Sequence, residues 1–156
     1  MLLQQRKESI SRLATKAIIK VVIFNMVVYT GIFVKKTITA NAILSRKISH
    51  PHLTLAYMPD KSIVEKLKPF LGYSFRMTVS GYGCDGENEG YLIGEISHKS
   101  KEITEVMELF NAIETPHITL SVGKYGKPVN TKNLDFKPIK PFQIKGTLGN
   151  YVTEDK

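Results

Sequence analysis

Two five-residue segments concentrate the chemistry that this chain could perform. Pro51-His52-Leu53-Thr54-Leu55 and Pro116-His117-Ile118-Thr119-Leu120 repeat one pattern, 65 residues apart, in a chain with 4 histidines. Each alternates polar and apolar side chains and reads as the start of a strand, where residues i and i+2 share a face. Each His therefore stands beside its own Thr, while Leu53 with Leu55, and Ile118 with Leu120, point the other way into a core. A lone histidine on a strand is usually structural, and threonine is common there for its β propensity alone. Drift has no reason to reproduce the same pattern with both polar types on one face.

Two such strands laid side by side would present two imidazoles and two hydroxyls to one cleft. An unperturbed imidazole titrates near pH 6.5, so one copy can accept a proton while the other donates one. In phosphodiester cleavage, one histidine would deprotonate the attacking oxygen, a ribose 2'-hydroxyl or water, and the other would protonate the leaving oxygen. Thr54 and Thr119 would donate hydrogen bonds to the non-bridging oxygens, where charge gathers in the transition state. This scheme requires no metal and no other cofactor. His50 and His98 lack such a companion, and Cys84, the single cysteine, has no activating neighbour pattern and reads as an ordinary loop thiol.

The paired motifs resemble the 2H phosphoesterase superfamily, defined by two His-x-Thr/Ser motifs on strands, as in LigT-type 2',5' RNA ligase/esterases, tRNA-ligase cyclic phosphodiesterase domains and viral relatives. The similarity covers roughly residues 26–152, and its secondary features are Tyr29-Thr30-Gly31-Ile32-Phe33, the extension through Ala56-Tyr57, and Gly126-Lys127-Pro128-Val129. It implies an α+β bilobal fold, two antiparallel sheets around a central cleft with helices outside. It also implies catalytic roles for His52, Thr54, His117 and Thr119. The implied activity is cleavage of a cyclic dinucleotide such as cGAMP or of 2',5'-oligoadenylate. A stand-alone chain rich in Lys, Ile and Asn suits a viral evader of nucleotide-based immune signalling. An RNA-processing 2',3'-cyclic phosphodiesterase or 2',5' RNA ligase-like enzyme is the second reading, and a non-catalytic nucleotide- or RNA-binding protein the third. For substrate binding, Tyr29 could stack a base alongside Phe33, and Lys124 and Tyr125, with Lys127, could contact phosphate or base.

The elements that must position these residues follow from periodicity. A length of 156 residues suits one core, and 42% hydrophobic with 23% charged residues is a globular composition. The net charge is +8, yet residues 1–25 hold Arg6, Lys7, Arg12, Lys16 and Lys20 against Glu8 alone. The remaining body is mildly basic and does not demand a long polyanion groove. That first segment, an extension before a domain over 26–156, reads as an amphipathic helix through Ile10, Leu13, Ala14, Ala17, Ile18 and Val21. A membrane anchor is the competing reading, weakened because Lys20 and Asn25 interrupt the apolar run to Val34. A cytoplasmic monomer is expected, in the host cytoplasm for a viral source.

Val27–Val34 reads as a buried strand, 37–47 as a weak helix or loop, and His52–Tyr57 as a strand. Ser62–Phe70 reads as a helix, with Ser62 as N-cap and Glu65 completing a capping box before Gly72. Tyr73–Tyr82 and Tyr91–Ile96 form a hairpin around a polar turn. Lys101–Ile113 carries a helical apolar stripe, His117–Val122 is a strand, 123–141 a loop, and Phe142–Val152 the last strand.

Overall fold

Both chemical motifs begin strands directly after a proline, and the rest of the chain is organised around those two strands. The computed structural model describes residues 25–100 and 103–154. In chain order it comprises β1 (Asn25–Val34), β2 (Arg46–Lys47), β3 (His52–Tyr57), α1 (Lys61–Leu67), β4 (Ser74–Cys84), β5 (Asn88–Ser97), α2 (Thr104–Asn111), β6 (His117–Val122) and β7 (Lys137–Glu154). Short 3-10 helices lie at Lys36–Thr39, Lys68–Phe70 and Pro128–Asn133.

Local chemistry explains where these boundaries depart from periodicity. Helix α1 starts under Asp60, whose carboxylate accepts from the Ile63 N–H at 2.9 Å. An acidic cap also complements the positive end of the helix dipole, so Asp60 displaces the expected Ser62 cap. The β4–β5 turn shrinks to three residues because the Asp85 carboxylate accepts from the N–H groups of Glu87 and Asn88 at 2.9 and 2.7 Å. Gly86 takes the positive φ, +90°, that this tight reversal needs. The expected loop 123–141 contains a 3-10 helix and the first five residues of β7. Pro138 is tolerated there because it faces Gly81, where β4 shifts register against β7 and no regular ladder bond is lost.

The expected bilobal α+β architecture with two sheets around a cleft is incorrect. The chain forms one antiparallel sheet, in the order β2-β6-β3-β1-β7-β4-β5, and β6 pairs with β5 as well. Six strands thereby close into an antiparallel barrel, with β2 added beside β3 along the same edge of β6. Closure leaves no place for a second sheet, and it arises because β6 spends both of its edges on pairing. One edge takes β2 and β3, and the other takes Asn88–Leu92 of β5. Side-chain alternation along a strand reports faces and carries no information about edges, so the sequence pattern could not reveal this.

One face of the sheet supplies the core. Ile32, Leu53, Met77, Val79, Ile118 and Leu148 are each at most 1% exposed and belong to one cluster that also holds Val106 and Phe110 of α2 and Leu67 of α1. Residues Val28–Tyr151 form one compact unit; the flanking 25–27 and 152–154 group with a second unit whose remainder lies outside the described residues. The amphipathic-helix and anchor readings of residues 10–34 fall largely outside them too. Among the described residues no helix is long and apolar enough to cross a membrane.

Leu53 faces Ile118 across the β3–β6 ladder, and both are fully buried. Leu53→Ala and Ile118→Ala should each lower stability by about 2 to 5 kcal/mol. Because the two side chains face each other within one packed cluster, the double variant should be less destabilised than the sum, with a coupling of roughly 0.5 to 3 kcal/mol. Urea-unfolding midpoints of the four proteins measure both quantities.

Candidate active site

The Leu53–Ile118 pairing fixes the geometry of the two motifs. In an antiparallel ladder one step in opposite directions keeps residues opposed, so His52 faces Thr119 and Thr54 faces His117, all on the face away from the core. Directly opposed Cβ atoms lie about 4.5 to 5.5 Å apart and diagonal ones at roughly 7 to 8 Å or somewhat less. The two imidazoles occupy one diagonal of a square and the two hydroxyls the other.

The strands outside this pair repeat the symmetry. On β1, Phe33 faces His52 and Gly31 faces Thr54; on β5, Leu92 faces His117 and Gly90 faces Thr119. Each threonine thus has a glycine across from it, and each histidine an apolar side chain. A Cβ at Gly31 would meet the Leu53 carbonyl oxygen at 2.5 Å, and one at Gly90 would meet the Thr131 methyl at 2.5 Å. Any larger residue would push the neighbouring backbone or loop off the site.

Both imidazoles are held in the same way. The Nδ1 of His52 lies 2.9 Å from the carbonyl oxygen of His50, and the Nδ1 of His117 lies 2.8 Å from that of Thr115. A carbonyl can only accept, so each Nδ1 carries a hydrogen and donates it, and each neutral ring presents a bare Nε2 lone pair. The intervening Pro51 and Pro116 fix the backbone that brings the carbonyl of residue i−2 back to the ring. The tautomer needed for a proton acceptor is set by backbone geometry at both positions.

The surroundings differ. The Tyr29 ring stacks on His52 at 4.2 Å and 15° and on Tyr151 at 5.1 Å and 14°, with its hydroxyl 3.4 Å from the His52 Nδ1. Tyr29 therefore walls the imidazole in, and the exposed aromatic surface is that of Tyr151, 46% accessible. The Thr54 hydroxyl has no partner among the described residues. Thr119 is 9% exposed and donates to the Thr131 Oγ1 at 2.8 Å, which also accepts from the Asn88 side chain at 3.0 Å. Of the two hydroxyls, only that of Thr54 is free to donate to a ligand.

Burial pushes the His52 pKa below its ordinary value by penalising the charged ring. The hydrogen bond to His50 opposes this, and positive charge on His117 and His50 adds to it. Burial lowers the His117 pKa as well, opposed by the bond to Thr115 and helped by the charge of Lys132. Each imidazole is therefore neutral at rest near neutral pH, and protonation of one disfavours protonation of the other. Tyr151 and Lys132 carry no motif around them, and only the return of β7 and the loop after β6 brings them here.

Lys124 and Tyr125 are not brought to the histidines. They follow Val122 at the far end of β6, about 17 Å from His117 at 3.4 Å per residue. There the Lys124 ammonium sits 5.3 Å from the Tyr125 ring, and the Tyr125 N–H donates to Glu87 at 2.9 Å. Among the described residues, no cluster of three or more His, Cys, Asp or Glu is placed to hold a metal. Comparison with protein-family models and with curated proteins finds no match.

The two depressed histidines make stability depend on pH. Their folded pKa values lie below the unfolded value of about 6.5, so the unfolded chain binds more protons as the medium acidifies. Their contribution is fully present above pH 6.5 and is lost as pH falls from there through the folded values. Urea midpoints recorded from pH 8 to 5 should fall below pH 6.5, and His52→Gln with His117→Gln should flatten that decline.

Proposed function

We propose that this protein is a metal-independent phosphodiesterase of the two-histidine type, acting on nucleotide phosphodiester bonds. The observation that carries the reading is the duplicated backbone clamp on two imidazoles set diagonally on adjacent in-register strands, each offering Nε2 to the same patch. The reading rests on the site and not on a shared architecture, since the bilobal fold that accompanies the resemblance is absent.

The chemistry follows from the titration of the pair. With one ring neutral and the other protonated, the neutral Nε2 takes the proton from the attacking hydroxyl or water as the new P–O bond forms. The imidazolium delivers its proton to the leaving oxygen as the old bond breaks, so the pair ends with its protons exchanged. The Thr54 hydroxyl donates to a non-bridging oxygen, and Thr119 can do so only by turning away from Thr131. Mutual repulsion favours the singly protonated pair over the doubly protonated one, which is the state that acid–base exchange requires. Candidate substrates are cyclic dinucleotides such as cGAMP, 2',5'-oligoadenylate, as in evasion of nucleotide immune signalling, and RNA ending in a 2',3'-cyclic phosphate.

Purified protein in EDTA, given this panel, should hydrolyse at least one member. His52→Ala and His117→Ala should each reduce kcat/KM by about 10² to 10⁴, the usual contribution of a general acid or base. Full activity in either variant would eliminate the mechanism.

The pH profile tests the same pair independently. The base must be neutral and the acid protonated, so the rate rises through the lower macroscopic pKa and falls through the upper. With both rings depressed by burial, the bell for kcat/KM should centre on the acidic side of pH 6.5. A plateau extending to pH 8 would contradict it.

A further inference from the structure

The two threonines of the site differ in what they can still do, and one short segment makes the difference. The 3-10 helix Pro128–Asn133 lies on the β5 side of Thr119, where the Thr131 methyl would stand 2.5 Å from a Cβ at Gly90. Thr131 is fully buried, and its Oγ1 accepts from the Thr119 hydroxyl at 2.8 Å and from the Asn88 side chain at 3.0 Å. Asn88, 2% exposed, is itself fixed by donating to the Lys127 carbonyl at 2.6 Å. Turning Thr119 toward a ligand would break into this buried polar network, where an abandoned partner is costly. A phosphate on this face has one free hydroxyl to hold it, that of Thr54.

The segment that occupies Thr119 also brings a replacement. Lys132 follows Thr131 directly, is exposed, and carries its donors on a flexible four-carbon stem. Among the described residues its ammonium has no hydrogen-bond or ion-pair partner, and the nearest carboxylate in sequence, Asp135, is held by Lys137 at 2.7 Å. Burial does most to hold the His117 pKa down, and the Lys132 charge adds to it, whereas Lys132 has no such influence on His52. The cation belongs to the β6 half of the site, the half whose hydroxyl is engaged.

We propose that Lys132 is the second group that holds the scissile phosphate, donating to the non-bridging oxygen that Thr119 leaves unserved. The inference rests on the phosphodiesterase reading and goes beyond the paired motif, since it sets a neutral donor on the β3 half against a cation on the β6 half. Hydrogen bonds from a cation to phosphate oxygens are shorter and roughly twice as strong as neutral ones. The exchange strengthens the hold on charge that gathers in the transition state.

The test reads binding as well as turnover. Inorganic phosphate added to the full chain should shift the Cε1 proton resonances of both His52 and His117. Lys132→Met should weaken phosphate binding roughly 10- to 100-fold, the worth of one hydrogen bond to a charged group, whereas Lys132→Arg should keep most of the affinity. Thr119→Val should lose less than Lys132→Met, and Lys66→Met, the same charge change on α1, should lose nothing. With any substrate that the native chain hydrolyses, kcat/KM should fall in the same order. Absent imidazole shifts, unchanged phosphate affinity in Lys132→Met, a larger loss in Thr119→Val, or an equal loss in Lys66→Met would overturn the assignment. Any of these beside turnover that still needs both histidines would leave the two-histidine mechanism standing. Phosphate binding that depends on Lys132, in a chain that hydrolyses none of the panel, would uphold the phosphate contact and end the phosphodiesterase reading.

Discussion

Everything at the candidate site depends on the register of one short ladder, in which Leu53 and Ile118 face each other from adjacent antiparallel strands. A slip of one residue would turn His52 and Thr54 into the core and Leu53 and Leu55 out of it. The penalty for that slip is the exposure of side chains that are now at most 5% accessible and the burial of imidazoles without partners. Hydrophobic burial on one face therefore sets the alignment of the imidazoles and hydroxyls on the other. The same alternation that builds the core places the chemistry.

The far end of β6 is held by polar means. The Glu89 carboxylate, 2% exposed, accepts from the Ser121 hydroxyl at 2.6 Å, from the Tyr82 hydroxyl, and from the Ile43 N–H at 3.0 Å. Charge-assisted bonds of this kind are short and directional, and they tie β4, β5, β6 and the segment before β2 to one anion. Burial, with this carboxylate adding to it, pushes the Tyr82 phenol well above its ordinary pKa, so it remains a donor. Arg46 adds bonds to the carbonyls of Gly123 and Gly126 at 3.0 and 3.2 Å. Aliphatic register at one end and polar anchoring at the other leave β6 little freedom to slide.

The two halves of the site share a backbone plan and differ in their lining. A glycine across from each threonine and a carbonyl behind each imidazole give approximate two-fold symmetry about the Leu53–Ile118 pair. On the β1 side Tyr29 packs against the ring and Thr54 stays open. On the β5 side the 3-10 helix Pro128–Asn133 brings Thr131 over Gly90 and engages Thr119. The face thus presents one open hydroxyl and one occupied hydroxyl, which breaks the equivalence of an otherwise symmetric pair.

The duplicated motif, its strands at His52–Tyr57 and His117–Val122, and the burial of Leu53, Leu55, Ile118 and Leu120 were all legible in the residues, because alternation within six residues is a local property of the chain. The helix cap at Asp60 and the bounds of the tight turn at Asp85 were missed by two or three residues, where a side-chain carboxylate outcompeted the expected cap or loop. The closure of the sheet was invisible for a deeper reason. Which strand edge a segment pairs with is decided by hydrogen bonds between residues far apart, and no side chain records that choice. Tyr151 and Lys132 likewise acquire meaning only when β7 and the loop after β6 return to the histidine face. The sequence alone determined which groups could do chemistry and which faces they would take; the tertiary structure decided which faces meet, because long-range pairing is a property of the folded sheet.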